Sequence, residues 1–498
     1  MPIVSATRFD LFATFATMIM IVMLIDSLHV RVRTTSQFEE SHENMIRKFL
    51  ALAALAMISA GSVRADLHAY VKQEDKSFRW EHEKTSKGIG VTVHTLKLHS
   101  QTWQGILWTH RLEIVEPAEE TIDHPEAAIL FIGGGAIGDT PRDGDRMVAT
   151  ALARAARTRV AILNHVPNQP LMGDRKEDAL IAETFIRYLD SKDVSWPLLF
   201  PMAKSAVRAM DATQEWAKKN GKPAIESFVV TGASKRGWTT WLSGAADPRV
   251  IAIAPMVIDT LNLGSQGQNQ LKVWGKYSEQ IHDYVERGLM QAALTPEGEV
   301  LWKMVDPYTY RDGRLAQIPK VLVNGTNDRY WTQDASRLYF PELKGPKAIC
   351  YLPNAGHGLD QNREWALNTI AGLYRMVAAG KSIPKISWEM MENPESTEYG
   401  IAVSADPKPK AIKSWAAKSK SRDVRQAKWE EVPSTVSEKD GKTIVVRARP
   451  KAGVEVMILD LTYEIDGLTV HFSTQISESD RTEVPEAQRQ NSNAKAAE

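Results

Sequence analysis

Three residues, in one chain order, could together cut an acyl bond. Ser234 stands in Gly232-Ala233-Ser234-Lys235-Arg236-Gly237, after the apolar run Ser227-Phe228-Val229-Val230-Thr231 and before a helix-like segment from Trp238 to Ala246. A serine at the apex of a tight strand-to-helix turn takes a strained backbone conformation that projects its hydroxyl, and small neighbours relieve the crowding. Such a hydroxyl attacks a carbonyl only when a base removes its proton. His357, in Pro353-Asn354-Ala355-Gly356-His357-Gly358, is the expected base, and Asp328, closing Asn324-Gly325-Thr326-Asn327-Asp328, would orient it and stabilise its charged form. The tetrahedral oxyanion then needs donors. One is the backbone N–H of Lys235, next after the nucleophile; the other is expected from Gly134 or Gly135 in Gly133-Gly134-Gly135-Ala136, where glycine lets the backbone approach substrate closely. Asp259, ending the strand after the nucleophile, is the alternative acid.

The turn departs from the usual G-x-S-x-G spacing. Its second glycine is one place late, and Arg236 occupies the usual position. Cations at Lys235 and Arg236 could assist the oxyanion or hold an acidic substrate group; equally, they could pair with neighbouring acids. Tyr330 and Trp331, just past Asp328, and His165, at the end of a strand, are candidate pocket residues, whereas Trp238 and Trp241 read as core. The glycine loop lacks the Lys-Ser/Thr ending of a nucleotide-binding loop. No Cys or His set has metal-ligand spacing, and no cofactor is expected.

These side chains need a scaffold that brings strand ends together. Ala128–Ile132, Arg159–Leu163, Ser227–Thr231, Val250–Ile258, Lys320–Val323 and Lys347–Leu352 read as buried strands, alternating with helical segments near 145–157, 176–190, 202–219 and 363–379. Strand–helix alternation specifies a mostly parallel sheet covered on both faces, with its chemistry at the carboxyl ends of the strands. With the order Ser, Asp, His, this is an α/β-hydrolase fold. The domain is expected over 66–380, after a β-rich opening, with a helical cap inserted at about 261–313. Short strands over 384–476 suggest a small C-terminal β-sandwich, and 479–498 a disordered tail.

The 498 residues carry a formal net charge of zero, 43% apolar and 24% charged side chains, which gives no electrostatic case for nucleic acid. The lone cysteine, Cys350, sits in a strand and reads as core. Met45-Ile46-Arg47-Lys48, the apolar run Phe49–Ala60 and the small residues Val63 and Ala65 form a secretory signal over 45–65. Residues 1–44 then read as an upstream extension, whose run Leu11–Ile25 is short for a membrane span. The mature chain would start near Asp66, exported to the periplasm or beyond, with no stable membrane insertion.

His165-Val166-Pro167-Asn168-Gln169-Pro170-Leu171, Ala233-Ser234-Lys235-Arg236-Gly237-Trp238-Thr239 and Asn324-Gly325-Thr326-Asn327-Asp328 resemble the PhoPQ-activated pathogenicity-related protein family, and the likeness runs from about Asp66 to Thr474. The resemblance implies a secreted or periplasmic α/β-hydrolase-like protein, linked to envelope stress or virulence in some members and to secreted signalling in others. It implies no particular substrate. The Ser-Lys-Arg-Gly turn is also similar, locally, to the Ser-Arg-x-Gly elbow of glucuronoyl esterases. The expected function is an exported serine hydrolase acting on an ester or amide of a small molecule or peptide. The alternatives are a secreted binding or signalling protein on a hydrolase scaffold, and a carbohydrate esterase of the glucuronoyl type.

Overall fold

The computed structural model describes residues 66–139 and 143–481. The expectations for 1–44, for the signal at 45–65 and for the tail from 482 onward lie outside the described residues. The elements run α1 (Leu67–Lys72), β1 (Arg79–Gly88), β2 (Val91–Trp103), β3 (Ile106–Pro117), β4 (Ala127–Ile132), α2 (Asp143–Ala156), β5 (Arg159–Leu163), α3 (Glu177–Ser191), α4 (Leu199–Lys219), β6 (Ser227–Ala233), α5 (Lys235–Ala246) and β7 (Val250–Met256). An insertion follows, with α6 (Leu263–Trp274), α7 (His282–Glu286), α8 (Leu289–Ala292) and α9 (Pro296–Val305), and then β8 (Lys320–Gly325), β9 (Lys347–Leu352) and α10 (Arg363–Ala378). The C-terminal strands are β10 (Lys385–Met391), β11 (Glu398–Asp406), β12 (Ala411–Ser419), β13 (Glu430–Glu431), β14 (Thr435–Lys439), β15 (Lys442–Ala448), β16 (Gly453–Ile465), β17 (Leu468–Ser473) and β18 (Ser477–Arg481).

The central sheet runs β1-β2-β3-β5-β4-β6-β7-β8-β9. β5 through β9 are parallel, and the β1–β3 meander joins antiparallel at β5. Strand periodicity explains why such apolar runs fold this way. In β4, Ala128, Leu130 and Ile132 enter one core with Phe185 of α3, Trp216 of α4 and Trp241 of α5, while Ala127 and Ile129 enter a second core with Leu152 of α2 and Tyr374 of α10. β5 and β6 split the same way. A strand buried on both faces has no polar side to show, so its sequence is apolar throughout rather than alternating.

The insertion is helical, as expected for a cap. One carboxylate closes it at both ends: Asp306 accepts from the backbone N–H of Leu263 at 2.7 Å and of Tyr308 at 2.9 Å. Burial pushes that carboxyl up to about 6 despite these bonds. The indole of Trp238 donates to the Val305 carbonyl at 2.6 Å, tying the cap to α5.

The C-terminal strands form two antiparallel sheets. β10-β11-β15-β14 is one; β17-β16-β12-β13, with β18 on β16, is the other. The second continues the central sheet, because Ser473 of β17 pairs with Ile349 of β9 and accepts from the Tyr351 N–H at 3.0 Å. The expected break after residue 380 is therefore bridged by backbone pairing. β18 also carries ordered chain past Ser479, where the sequence suggests the tail begins: that serine is fully buried and accepts from Arg449 at 3.0 Å. Cys350 is a free, buried thiol in β9, pushed up to about 12 by burial. Among the described residues, no helix is long and apolar enough to cross a membrane.

Candidate active site

Ser234 is the hinge between β6 and α5. Its backbone sits at φ 59° and ψ −124°, a conformation costly for a residue with a Cβ. Its N–H is held by the Met256 carbonyl at 2.9 Å, and its own carbonyl accepts from Trp238 at 2.9 Å. The displaced second glycine has a steric reason. A Cβ on Gly237 would stand 2.8 Å from the Met256 carbonyl oxygen, so glycine is required where α5 crosses the end of β7. Ser234 Oγ has no hydrogen-bond partner among the described residues.

The structure brings Asp328 and His357 together. Asp328, after β8, lies 6% exposed and accepts from His357 Nδ1 at 2.8 Å, while its other oxygen accepts from the Tyr330 N–H at 2.9 Å. His357 Nε2 is buried and has no partner among the described residues. The Tyr330 ring lies over the imidazole, centroids 4.1 Å apart. The alternative acid is engaged elsewhere: Asp259 accepts from Tyr339 at 2.5 Å and Tyr351 at 2.9 Å. Burial, reinforced by the nearby charge of Asp328, pushes it up to about 6 despite these hydroxyls.

The glycine loop after β4 has most of its amides taken. Gly133 donates to Leu163 at 2.7 Å, Ala136 to the Asp139 carboxylate at 2.7 Å and Ile137 to Gln169 at 2.8 Å. The N–H groups of Gly134 and Gly135 have no partner among the described residues, nor has that of Lys235, the first residue of α5. His165 does not line the pocket. It backs this loop instead, its N–H on the Gly134 carbonyl at 2.8 Å, and burial lowers its basicity.

Both cations beside the serine are paired. Arg236 is 8% exposed and does not line the pocket. Its guanidinium grips both oxygens of Glu177, at 2.6 and 2.7 Å, and donates to the Val166 carbonyl at 2.5 Å. It also lies against the glycine loop: a Cβ on Gly134 would stand 2.8 Å from the guanidinium carbon. As a substrate-binding candidate, Arg236 is thus corrected to a buried brace. Lys235 bonds Asp178 at 2.9 Å and approaches Glu177 at 3.4 Å. Burial would raise the Glu177 carboxyl, but the hydrogen bonds and charge of Arg236, with the charge of Lys235, outweigh it and hold the group at about 2. Glu177 and Asp178 escaped the sequence reading because acids in a first helical turn ordinarily answer the helix dipole. Two unexplained cations beside the nucleophile were the one available signal.

A pocket of about 720 Å³, open solvent at its mouth included, has Ser234 in its wall. Tyr330 and Trp331 line it. Trp238, expected in the core, lines it too, with cap residues Leu263, Tyr284, Met290 and Trp302. The cap therefore roofs the serine. Among the described residues, no group of three or more His, Cys, Asp or Glu could hold a metal ion.

Sheet order, elbow and strand-end loops define an α/β-hydrolase scaffold. The model of the PhoPQ-activated pathogenicity-related protein family matches residues 67–425, and the chain belongs to that family. It is 30% identical over 400 residues to autocrine proliferation repressor protein A of Dictyostelium discoideum, covering 76% of this chain and 79% of that protein. Solved structures similar to it include acetyl xylan esterase 1 from Thermoanaerobacterium sp., with TM-score 0.41, 16% identity and coverage of 62% of this chain and 94% of that one. A glucuronoyl esterase from Solibacter usitatus gives TM-score 0.41 and 14% identity, over 62% of this chain and 90% of that one.

Proposed function

We propose that this protein is an exported serine hydrolase that attacks the carbonyl of an ester or amide. The observation that carries the reading is the strained Ser234 in the pocket wall, supported by an imidazole, His357, that Asp328 holds at 2.8 Å. His357 Nε2 takes the Ser234 proton as Oγ adds to the carbonyl carbon. Asp328 keeps the proton on Nδ1 and stabilises the imidazolium. The Lys235 N–H, with that of Gly134 or Gly135, receives the oxyanion. The imidazolium then protonates the leaving group, and water, activated by the same histidine, releases the acyl group. Burst kinetics on a 4-nitrophenyl ester test this. Wild type should release one equivalent of nitrophenol in a burst, and Ser234→Ala and His357→Ala should release none. Unchanged turnover in Ser234→Ala would overturn the mechanism.

Export is supported by the basic head, apolar run and small residues of 45–65. N-terminal sequencing of exported protein should start near Asp66. A second reading comes from the Dictyostelium discoideum relative, whose name describes a repressor of proliferation. The same pocket would then bind a ligand without turning it over, and Ser234→Ala would keep its biological effect. A sugar-acid esterase is disfavoured, because Lys235 and Arg236 are already neutralised by Asp178 and Glu177.

A further inference from the structure

We infer that the pocket selects an uncharged, apolar acyl group and rejects a carboxylated one. The inference rests on the serine-hydrolase reading for its chemistry, but the binding preference can be measured without turnover. Its first support is the wall. Trp238, Ile258, Leu263, Met290, Trp302 and Trp331 supply apolar surface around the serine. A wall with such a lining holds a ligand mainly by excluding water from it.

The second support is that the charged groups on the wall are paired within the protein, and the amide N–H groups there already donate to it. Lys235 is bonded to Asp178 at 2.9 Å, and the other Asp178 oxygen accepts from Tyr284 at 2.9 Å. Gln266 donates to the Leu261 and Ala335 carbonyls at 2.8 and 3.2 Å. Gln270 donates to the Tyr330 carbonyl at 3.0 Å and accepts from Ser278 at 2.8 Å. A substrate carboxylate entering here would lose its water and find a lysine already neutralised, beside the repelling charge of Asp178; the unpartnered indole N–H groups of Trp302 and Trp331 are neutral donors and offer no countercharge.

The third support fixes which half of the substrate the pocket holds. The leaving group must lie beside His357, which protonates it. His357 is not among the residues lining the pocket, whereas Tyr330, whose ring lies over the imidazole, is. The space away from His357 therefore receives the acyl side. Gly267 in α6 also lines it, and an added Cβ there would stand 2.6 Å from Met290 Cε, another residue of the wall.

The test is a series of 4-nitrophenyl esters: acetyl, butyryl, hexanoyl, 4-phenylbutyryl and the glutaryl half-ester. From acetyl to hexanoyl, kcat/KM should rise about fourfold per methylene, as burial of a CH₂ group predicts. The glutaryl half-ester should fall roughly a hundredfold below butyryl, from the cost of burying a charge without a partner. Gly267→Val should flatten the chain-length series, and Asp178→Asn, by removing the carboxylate nearest Lys235, should narrow the glutaryl deficit about tenfold. A flat or falling series, or preference for glutaryl, overturns the inference while leaving the serine mechanism intact. The second arm needs no catalysis: calorimetric titration of Ser234→Ala protein with hexanamide, 4-phenylbutyramide and glutaramate. If folded wild type hydrolyses no ester, the mechanism fails, and this arm alone decides the pocket. Tighter binding of the neutral amides supports the inference, and equal or tighter binding of glutaramate overturns it.

Discussion

Replacing Arg236 by Met tests whether the guanidinium braces the site rather than reads substrate. The change keeps much of the apolar stem and removes three hydrogen bonds, two to Glu177 and one to the Val166 carbonyl. The Glu177 carboxylate is not orphaned, because Gln169 still donates to it at 2.7 Å and Lys235 lies at 3.4 Å. Its side chain is also 38% exposed, so solvent screens part of the lost pair. The Val166 carbonyl loses its charged donor, at about 1–3 kcal/mol, and the charge-assisted pair adds roughly 1.5–3 kcal/mol before screening. A total near 3 kcal/mol corresponds to a Tm lower by about 3 °C in an ordered body of about 400 residues. Catalysis should fall further than stability. The guanidinium lies against Gly134, so losing it should loosen the proposed oxyanion donor, and kcat should drop about a hundredfold with KM within threefold. Differential scanning calorimetry and steady-state kinetics on the best neutral ester are the assays. An unchanged Tm and kcat with a raised KM would refute the reasoning and return Arg236 to the substrate.

Other outcomes follow from the same geometry. Asp328→Asn should lower kcat about ten-thousandfold, whereas Asp259→Asn, whose carboxylate faces Tyr339 and Tyr351, should stay within tenfold of wild type; the reverse pattern in ester hydrolysis would exchange their roles. Gly134→Ala should fold but lose turnover, because its Cβ would meet a guanidinium fixed at both ends; kinetics beside a calorimetric scan would show it. Burial would raise Glu116, but the close approach of His94 at 3.5 Å, the hydrogen bond and charge of Arg159 and the charge of Lys222 hold it at about 2. A carboxyl depressed in the folded state stabilises above its unfolded pKa, and that contribution is lost as pH falls through about 4.5 towards 2. The Tm should therefore drop over that range, by less in Glu116→Gln than in wild type, and parallel curves for the two proteins would refute the link.

The parts of the fold legible in the sequence are those where burial dictates residue type on both faces. β5 is Arg-Val-Ala-Ile-Leu between two helices, and its bounds match the apolar run. β1, Arg79–Gly88, is almost wholly polar and largely exposed. Only its pairing with β2 makes it a strand, and no local pattern announces a partner. β14, exposed throughout, and β18, polar with Ser477 and Ser479 buried, were hidden for the same reason. At the site, chain order and strand ends pointed to Asp328 and His357, because a triad needs loops at one sheet edge. The acids that neutralise Lys235 and Arg236 were not legible. Glu177 and Asp178 lie far away in sequence, and only the packing of α3 beside the elbow brings them there.

The central claim is that Ser234 is an activated nucleophile, and covalent labelling with a fluorophosphonate, located by peptide mass spectrometry, tests it most directly. The account predicts one adduct per chain, on the peptide containing Ser234, absent in Ser234→Ala and slowed at least a hundredfold in His357→Ala. Folded wild-type protein that takes no label, or Ser234→Ala protein that labels as fast as wild type, would contradict it.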